Sequence, residues 1–310
     1  DIRRLGVGAV FYTALCNDAG GMIDDGTLLR MTPLSFRWIG GSDASILWLQ
    51  EQAKASDLRV SVRNSTTQVA NLALQGRHSR DILGKLFAPV TGRPAVGELQ
   101  RFRFTVARHG GENGLPVLIS RTGFTGELGY EIFCAPRDAE QVFDLIMAEG
   151  ARFGIAPVGM TALDTLRIEA GLPLAGAEFD GRTTPYDAGI GFTVALNTKD
   201  VDFRGREALT KAQAWGRTRL VTLVFDGGEA PLPHAPLRIG MTPVGRLTSI
   251  TRSPALGKVI ALAQIDTPHS DPGTEVLVGA LDGAQKQLIA RTAPLCVFDL
   301  GRLRIQGQYA

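Results

Sequence analysis

Arg121-Thr122-Gly123-Phe124-Thr125-Gly126-Glu127-Leu128-Gly129-Tyr130-Glu131 is the stretch on which the fold turns. An apolar run, Pro116-Val117-Leu118-Ile119, leads into it, and a second, Ile132-Phe133, follows. Three glycines within seven residues let a backbone approach another group closely or take positive φ. The spacing is neither a dinucleotide GxGxxG loop nor a Walker loop, since no Gly-Lys-Ser/Thr follows, and Gly6-Val7-Gly8 also fails as a dinucleotide turn. A glycine-rich strand-to-strand turn of this kind can be purely structural. Glu131 argues for more. A carboxylate among Tyr130, Ile132 and Phe133 is costly to bury unless it is paired or hydrogen-bonded.

Outward from this turn the chain alternates strands and helices. Residues 102–120 read as a hairpin around Gly110-Gly111-Glu112-Asn113-Gly114. A helix is predicted over 138–152, with Val142, Leu145 and Ile146 at helical spacing. Another is predicted from Thr161, with Asp164 as a variant capping box and Gly171 as the stop. Toward the N-terminus, turns are read at 17–21 and at Thr32-Pro33, then a helix capped by Ser42 or Asp43 that carries Ile46, Leu49 and Ala53. Strands are expected at Leu58–Arg63 and Val69–Leu74, and a short helix with Ile82, Leu83 and Leu86. After residue 215 the pattern shifts to short strands at 220–225, 244–248, 259–265 and 274–278, as in a small β-barrel. Thr210–Arg219 reads as a linker. The expected organisation is α+β, with residues 1–65 in a first α+β domain, 66–210 in a central one and 215–310 in a β-rich one. The chain opens straight into a strand-like run at Val7–Leu15, so the first strands of its first domain are expected upstream of Asp1.

Composition limits the function. With 310 residues, 44% hydrophobic and 21% charged, the chain can build two or three domain cores. A net charge of +2, from 33 basic and 31 acidic residues, gives no electrostatic case for nucleic acid. No apolar run approaches the roughly 20 residues of a membrane helix. Cys16, Cys134 and Cys296 are far apart, which suits buried thiols in a reducing, cytoplasmic setting. His78, His109, His234 and His269 are isolated, so no metal site is expected. Gly20-Gly21-Met22-Ile23-Asp24-Asp25-Gly26 places two carboxylates side by side. In an extended chain they face opposite ways, one to solvent and the other free to enter a pocket. A solvated turn accounts for the motif equally well. Asp164 and Arg167, three apart, make a local helix ion pair.

In order and spacing, six blocks together resemble the aminomethyltransferase (glycine cleavage T-protein) family. They are Asn17-x-x-Gly20-Gly21-x-x-Asp24-Asp25, the 121–131 block, Asp164-Thr165-Leu166-Arg167-Ile168-Glu169-Ala170-Gly171-Leu172, Thr184-Pro185-x-x-Ala188-Gly189-Ile190-Gly191, Asp202-Phe203-x-Gly205-Arg206-Glu207-Ala208-Leu209, and Ser253-Pro254-x-Leu256-Gly257-Lys258. The resemblance runs over essentially the whole chain. It implies a three-domain cloverleaf around a central tetrahydrofolate site with a C-terminal barrel-like domain. It further implies Asp25 as the catalytic carboxylate near the reacting folate nitrogens and Glu131 as the group that holds the pterin. Phe124, Tyr130, Trp38, Ile39 and Arg167 are the accompanying folate contacts it suggests. A carboxylate suits the pterin's two parallel N–H donors, which it can accept bidentately. The implied activity is transfer of an aminomethyl or methylene unit from an amine donor to tetrahydrofolate, with a small-molecule donor and a lipoyl carrier protein as candidate partners.

Of three departures from the family pattern, the second and third bear on the donor. Phe124 stands where the family has Tyr, Leu163 where it has Arg, and the family's N-terminal segment with its folate-lining Met has no counterpart in the sequence. They bring forward a folate-dependent demethylase of N-, O- or S-methylated compounds as the alternative. A folate-binding relative without transfer chemistry carries a Lys-Gly-Cys-Tyr block; its counterpart here, Phe203-Arg204-Gly205-Arg206-Glu207, lacks the Cys.

Overall fold

The computed structural model describes residues 1–198, 201–280 and 286–309. Strands β1 (Val10–Cys16), β2 (Met22–Thr32) and β3 (Ser35–Gly40) form an antiparallel sheet followed by helix α1 (Ala44–Ala55). Strand β4 (Ala70–Gln75), helix α2 (Ser79–Leu86), and strands β5 (Ala88–Pro89), β6 (Phe104–His109), β7 (Leu115–Ser120) and β8 (Gly129–Cys134) give a five-stranded sheet in the order β4-β8-β7-β6-β5. Helices α3 (Ala139–Gly150), α4 (Met160–Glu169) and α5 (Arg206–Trp215) follow. Strands β9 (Thr218–Phe225), β10 (Pro236–Ile239), β11 (Thr242–Ser253), β12 (Lys258–Asp266), β13 (Glu275–Val278) and β14 (Leu288–Ala293) close a barrel in the order β10-β11-β12-β9-β14-β13.

Apolar clusters hold these bodies. Helices α2 and α3 cover one face of the second sheet through Ile82, Leu83, Val142 and Ile146 against Tyr130, Ile132 and Ile119. The opposite face meets the first sheet through Val10, Leu29, Phe104, Leu118 and Phe133. Alternation along β8 explains both: Tyr130, Ile132 and Cys134 turn to the helices, Glu131 and Phe133 to the first sheet. The barrel interior is filled by Val, Leu, Ile and Ala together with Phe225, with α4 seated on its wall through Ile168 against Leu220, Ile260 and Leu262.

The structure corrects several sequence readings. Residues 58–63 form no strand; Leu58 and Val60 are exposed and no neighbouring edge pairs with them. The stretch 210–219 is not a linker, because α5 runs to Trp215, anchored by buried Leu209, and β9 begins at Thr218. Thr161 does not cap α4, whose N-cap is Gly159 without a side-chain bond. The segment around 175–190 packs on the first sheet through Phe179, Ala188 and Ile190 against Met22.

Candidate functional site

A cavity of about 710 Å³ opens where the three bodies meet. Its walls come from β1 and β2 (Tyr12, Asp25), the glycine-rich turn (Thr122, Phe124), β8 (Glu131), the start of α4 (Leu163) and the segments around Leu172 and Cys296. Met160 and Phe192 line it and are largely exposed, marking its mouth.

The glycine-rich turn is folded around a residue that the sequence reading passed over. A Cβ on Gly123 or Gly129 would collide with the Gln75 amide. That amide donates to the carbonyls of Thr122 (3.4 Å) and Tyr130 (3.3 Å) and accepts from Thr125 Oγ1 at 2.9 Å. Gln75 thus satisfies a turn that has no ladder of its own and fixes the strand carrying Glu131. One clue was its place at the end of a strand, just before Gly76. The Glu131 carboxylate accepts from Asn71 Nδ2 at 3.1 Å and from Thr122 Oγ1, and it faces the cavity. It is hydrogen-bonded yet has no cation against it among the described residues, so it retains acceptor capacity for a ligand's N–H groups.

The adjacent carboxylates of β2 divide as the pleat requires, but neither is given over to solvent. Asp24, expected as one candidate for a solvated side, is fully buried and accepts from the amides of Gly41 and Ser42, both at 3.3 Å. Asp25 enters the cavity. Its Oδ2 accepts from the Tyr12 hydroxyl at 2.5 Å. Burial pushes the Asp25 carboxyl up to about 6; the Tyr12 hydrogen bond opposes this and the charge of Asp24 adds to it. If the ionised form is the working one, activity should rise as pH increases through about 6. A kcat/KM profile flat between pH 5 and pH 8 would contradict that role for Asp25.

Phe124 and Ile39 line the cavity. Three of the expected folate contacts do not. Tyr130 is fully buried under α2, on the opposite face of β8 from Glu131, with its hydroxyl 3.4 Å from Arg80 Nε. Trp38 points away from Ile39, its indole lying against Gly26 and Gly40 with Nε1 buried and unpartnered. Arg167 is 3% exposed and bound to Asp164, Glu178 and Ser249, a structural network between α4 and the barrel. Leu163 does reach the cavity, so the departure from Arg leaves an apolar wall there.

Two antiparallel-sheet bodies and a closed barrel around one cavity, lined among others by Asp25, Glu127 and Glu131, define a cloverleaf with a central pocket. The GCVT N-terminal domain family matches residues 1–198, and the glycine cleavage T-protein C-terminal barrel domain family matches residues 218–299. The chain belongs to the glycine cleavage T-protein family. It is 47% identical over 305 residues to a trimethylamine-oxide aldolase of Ruegeria pomeroyi, covering 98% of this chain but only 38% of that protein. It is 36% identical over 279 residues to an aminomethyltransferase of Streptomyces avermitilis, covering 88% of this chain and 73% of the other. The crystal structure of the glycine cleavage system aminomethyltransferase T of Bartonella henselae has the same fold, with TM-score 0.79 at 24% identity, covering 94% of this chain and 77% of that one. No helix among the described residues is long and apolar enough to cross a membrane.

Proposed function

We propose that this chain is a tetrahydrofolate-dependent one-carbon transferase that accepts its carbon from a methylated amine rather than from a lipoyl-bound aminomethyl group. The juxtaposition of Asp25 and Glu131 across one cavity carries the first part. Glu131, held by Asn71 and Thr122, suits the paired N–H donors of a pterin edge, and about 710 Å³ is room for a ring system of that size. Tetrahydrofolate, when bound, supplies the nucleophilic nitrogens that take up the carbon. The chain's part is to orient the pterin through Glu131, to present the Asp25 carboxylate to developing positive charge, to take up a proton there, and to exclude water with Phe124 and Leu163.

Two observations favour a methylated amine as donor. Leu163 replaces the cationic wall that the family pattern supplies, leaving apolar surface. The relative named trimethylamine-oxide aldolase is also similar over nearly this entire chain. An aldolase reaction on a methylated amine oxide releases a one-carbon aldehyde, which is at the oxidation level a folate accepts directly. Because this chain spans 38% of that relative, the release step is not assigned to this chain.

Incubation with tetrahydrofolate and a panel of N-methylated amines, their oxides, formaldehyde and an aminomethyl-lipoyl donor tests the reading, with the folate product identified. Methyl-folate from a methylated amine supports it, as does methylene-level folate from an amine oxide or from the aldehyde at a rate above the uncatalysed one. Product from the lipoyl donor alone returns the chain to aminomethyl transfer, and failure with every donor leaves only binding. Glu131→Gln should weaken tetrahydrofolate binding by about 1.5–3 kcal/mol, the range for a hydrogen bond to a charged group. Unchanged affinity by calorimetry would remove Glu131 from the site.

A further inference from the structure

We propose that Tyr12 is a positioning residue for Asp25: its phenol holds one carboxylate oxygen so that the other faces the ligand in the cavity. The inference rests on the reading of Asp25 as the working carboxylate.

The strand register places the two residues together. Tyr12 pairs with Thr27 and Ala14 pairs with Asp25, so Tyr12 and Asp25 are diagonal neighbours on one face of the sheet. An aromatic side chain spans that diagonal. The phenol donates to Oδ2 at 2.5 Å, and no other side chain among the described residues bonds to Oδ1. The Tyr12 ring is itself held in place. It lies 6.2 Å from the Phe192 ring at 37°, against the cluster of Met22, Phe179, Ala188 and Ile190. A fixed ring fixes the hydroxyl, and the hydroxyl fixes the carboxylate plane.

A phenol suits this task better than a cation would. Lys or Arg would neutralise the charge the reaction needs, whereas a neutral donor supports it and leaves it negative. Tyr12 also remains a donor at every working pH, because burial and then the neighbouring Asp25 push its hydroxyl well above the ordinary tyrosine range. Tyr12 faces it from β1 and Asp24 adjoins it on β2, the wall at Ile190 and Phe192 brings no charge, and the cavity's other charged lining residues are Glu131, Glu127, Arg101, Arg121 and Arg302. Burial and Asp24 both disfavour the ionised carboxylate, and the Tyr12 hydrogen bond opposes them.

The experiment is an infrared titration of the ligand-free protein, with the Asp25 carboxyl band assigned by its loss in Asp25→Asn. In Tyr12→Phe the protonation midpoint should move from about 6 to above about 7, the shift expected for loss of a charge-assisted hydrogen bond. The acid limb of kcat/KM should move with it, so the loss of activity should be larger at pH 6 than at pH 9, where Asp25 is ionised but its plane is no longer held. A merely structural tyrosine would lower activity at all pH values alike. A midpoint unchanged in Tyr12→Phe overturns the proposal. Should that variant fail to fold, 3,5-difluorotyrosine at position 12 keeps the shape and alters only the donor, and an unmoved Asp25 band there overturns it equally. The infrared titration uses no folate. A wild-type protein that binds no tetrahydrofolate would therefore refute the proposed function while the Tyr12–Asp25 coupling was still read.

Discussion

Asp25→Asn is expected to lower turnover by about 10²–10³ while leaving tetrahydrofolate affinity within about tenfold, roughly 1.4 kcal/mol. The substitution keeps the side chain's size and its bond from Tyr12, so the cavity wall stays in place. It removes the one charge that β1 and β2 aim into the cavity. One-carbon transfer develops positive charge on carbon, and a fixed carboxylate stabilises that charge where it forms. A part-buried carboxylate contributes more than one in water because solvent does not screen it. The acid limb near pH 6 should vanish in the variant, since Asn does not titrate. Turnover at the wild-type rate on a confirmed donor would make Asp25 a structural residue.

How far the sequence was legible depends on the range of the interactions. Local rules served well where the partner was near. Period-two alternation found the 102–120 hairpin, and Gly171 stopped α4 at φ +67°, whereas the pleat alone left open which of the two adjacent carboxylates enters the cavity. The same alternation, applied to Tyr130 and Trp38, would have removed both from the site, because each neighbours a cavity residue on a strand and so faces the other way. Other features depended on contacts distant in sequence. Asp24 escapes solvent because amides seventeen and eighteen residues later turn toward it. Gln75 is defined by a glycine turn some fifty residues on. Strands β10 and β14 have four and six residues, and only closure of the barrel makes strands of them.

Arg167→Met should destabilise the protein by about 3–5 kcal/mol, because it strands a buried carboxylate. Arg167 Nη1 donates to Glu178 Oε2 at 2.6 Å, Nη2 to Ser249 Oγ at 2.7 Å and Nε to Asp164 Oδ1 at 2.8 Å. Glu178, 1% exposed, also accepts from the Leu174 amide at 3.0 Å and from Ser249 Oγ at 2.6 Å. The network therefore ties α4, the 172–178 segment and β11 together. Local spacing revealed only its weakest member, the half-exposed Asp164. A surface pair would contribute about 0–1 kcal/mol, so a loss of several kcal/mol in a urea melt separates the buried network from a simple helix pair. The double variant Arg167→Met, Glu178→Leu should recover much of the loss, since two apolar groups leave no charge unpaired. Leu172, Leu174 and Ala175 also line the cavity, so the single variant should weaken folate binding through the loosened segment. The order of effects decides between roles. If Arg167→Met melts like wild type yet loses folate affinity, the guanidinium contacts the ligand directly and its place in the interdomain network is wrong. If stability falls and the double variant restores stability and affinity together, Arg167 shapes the site from behind its wall.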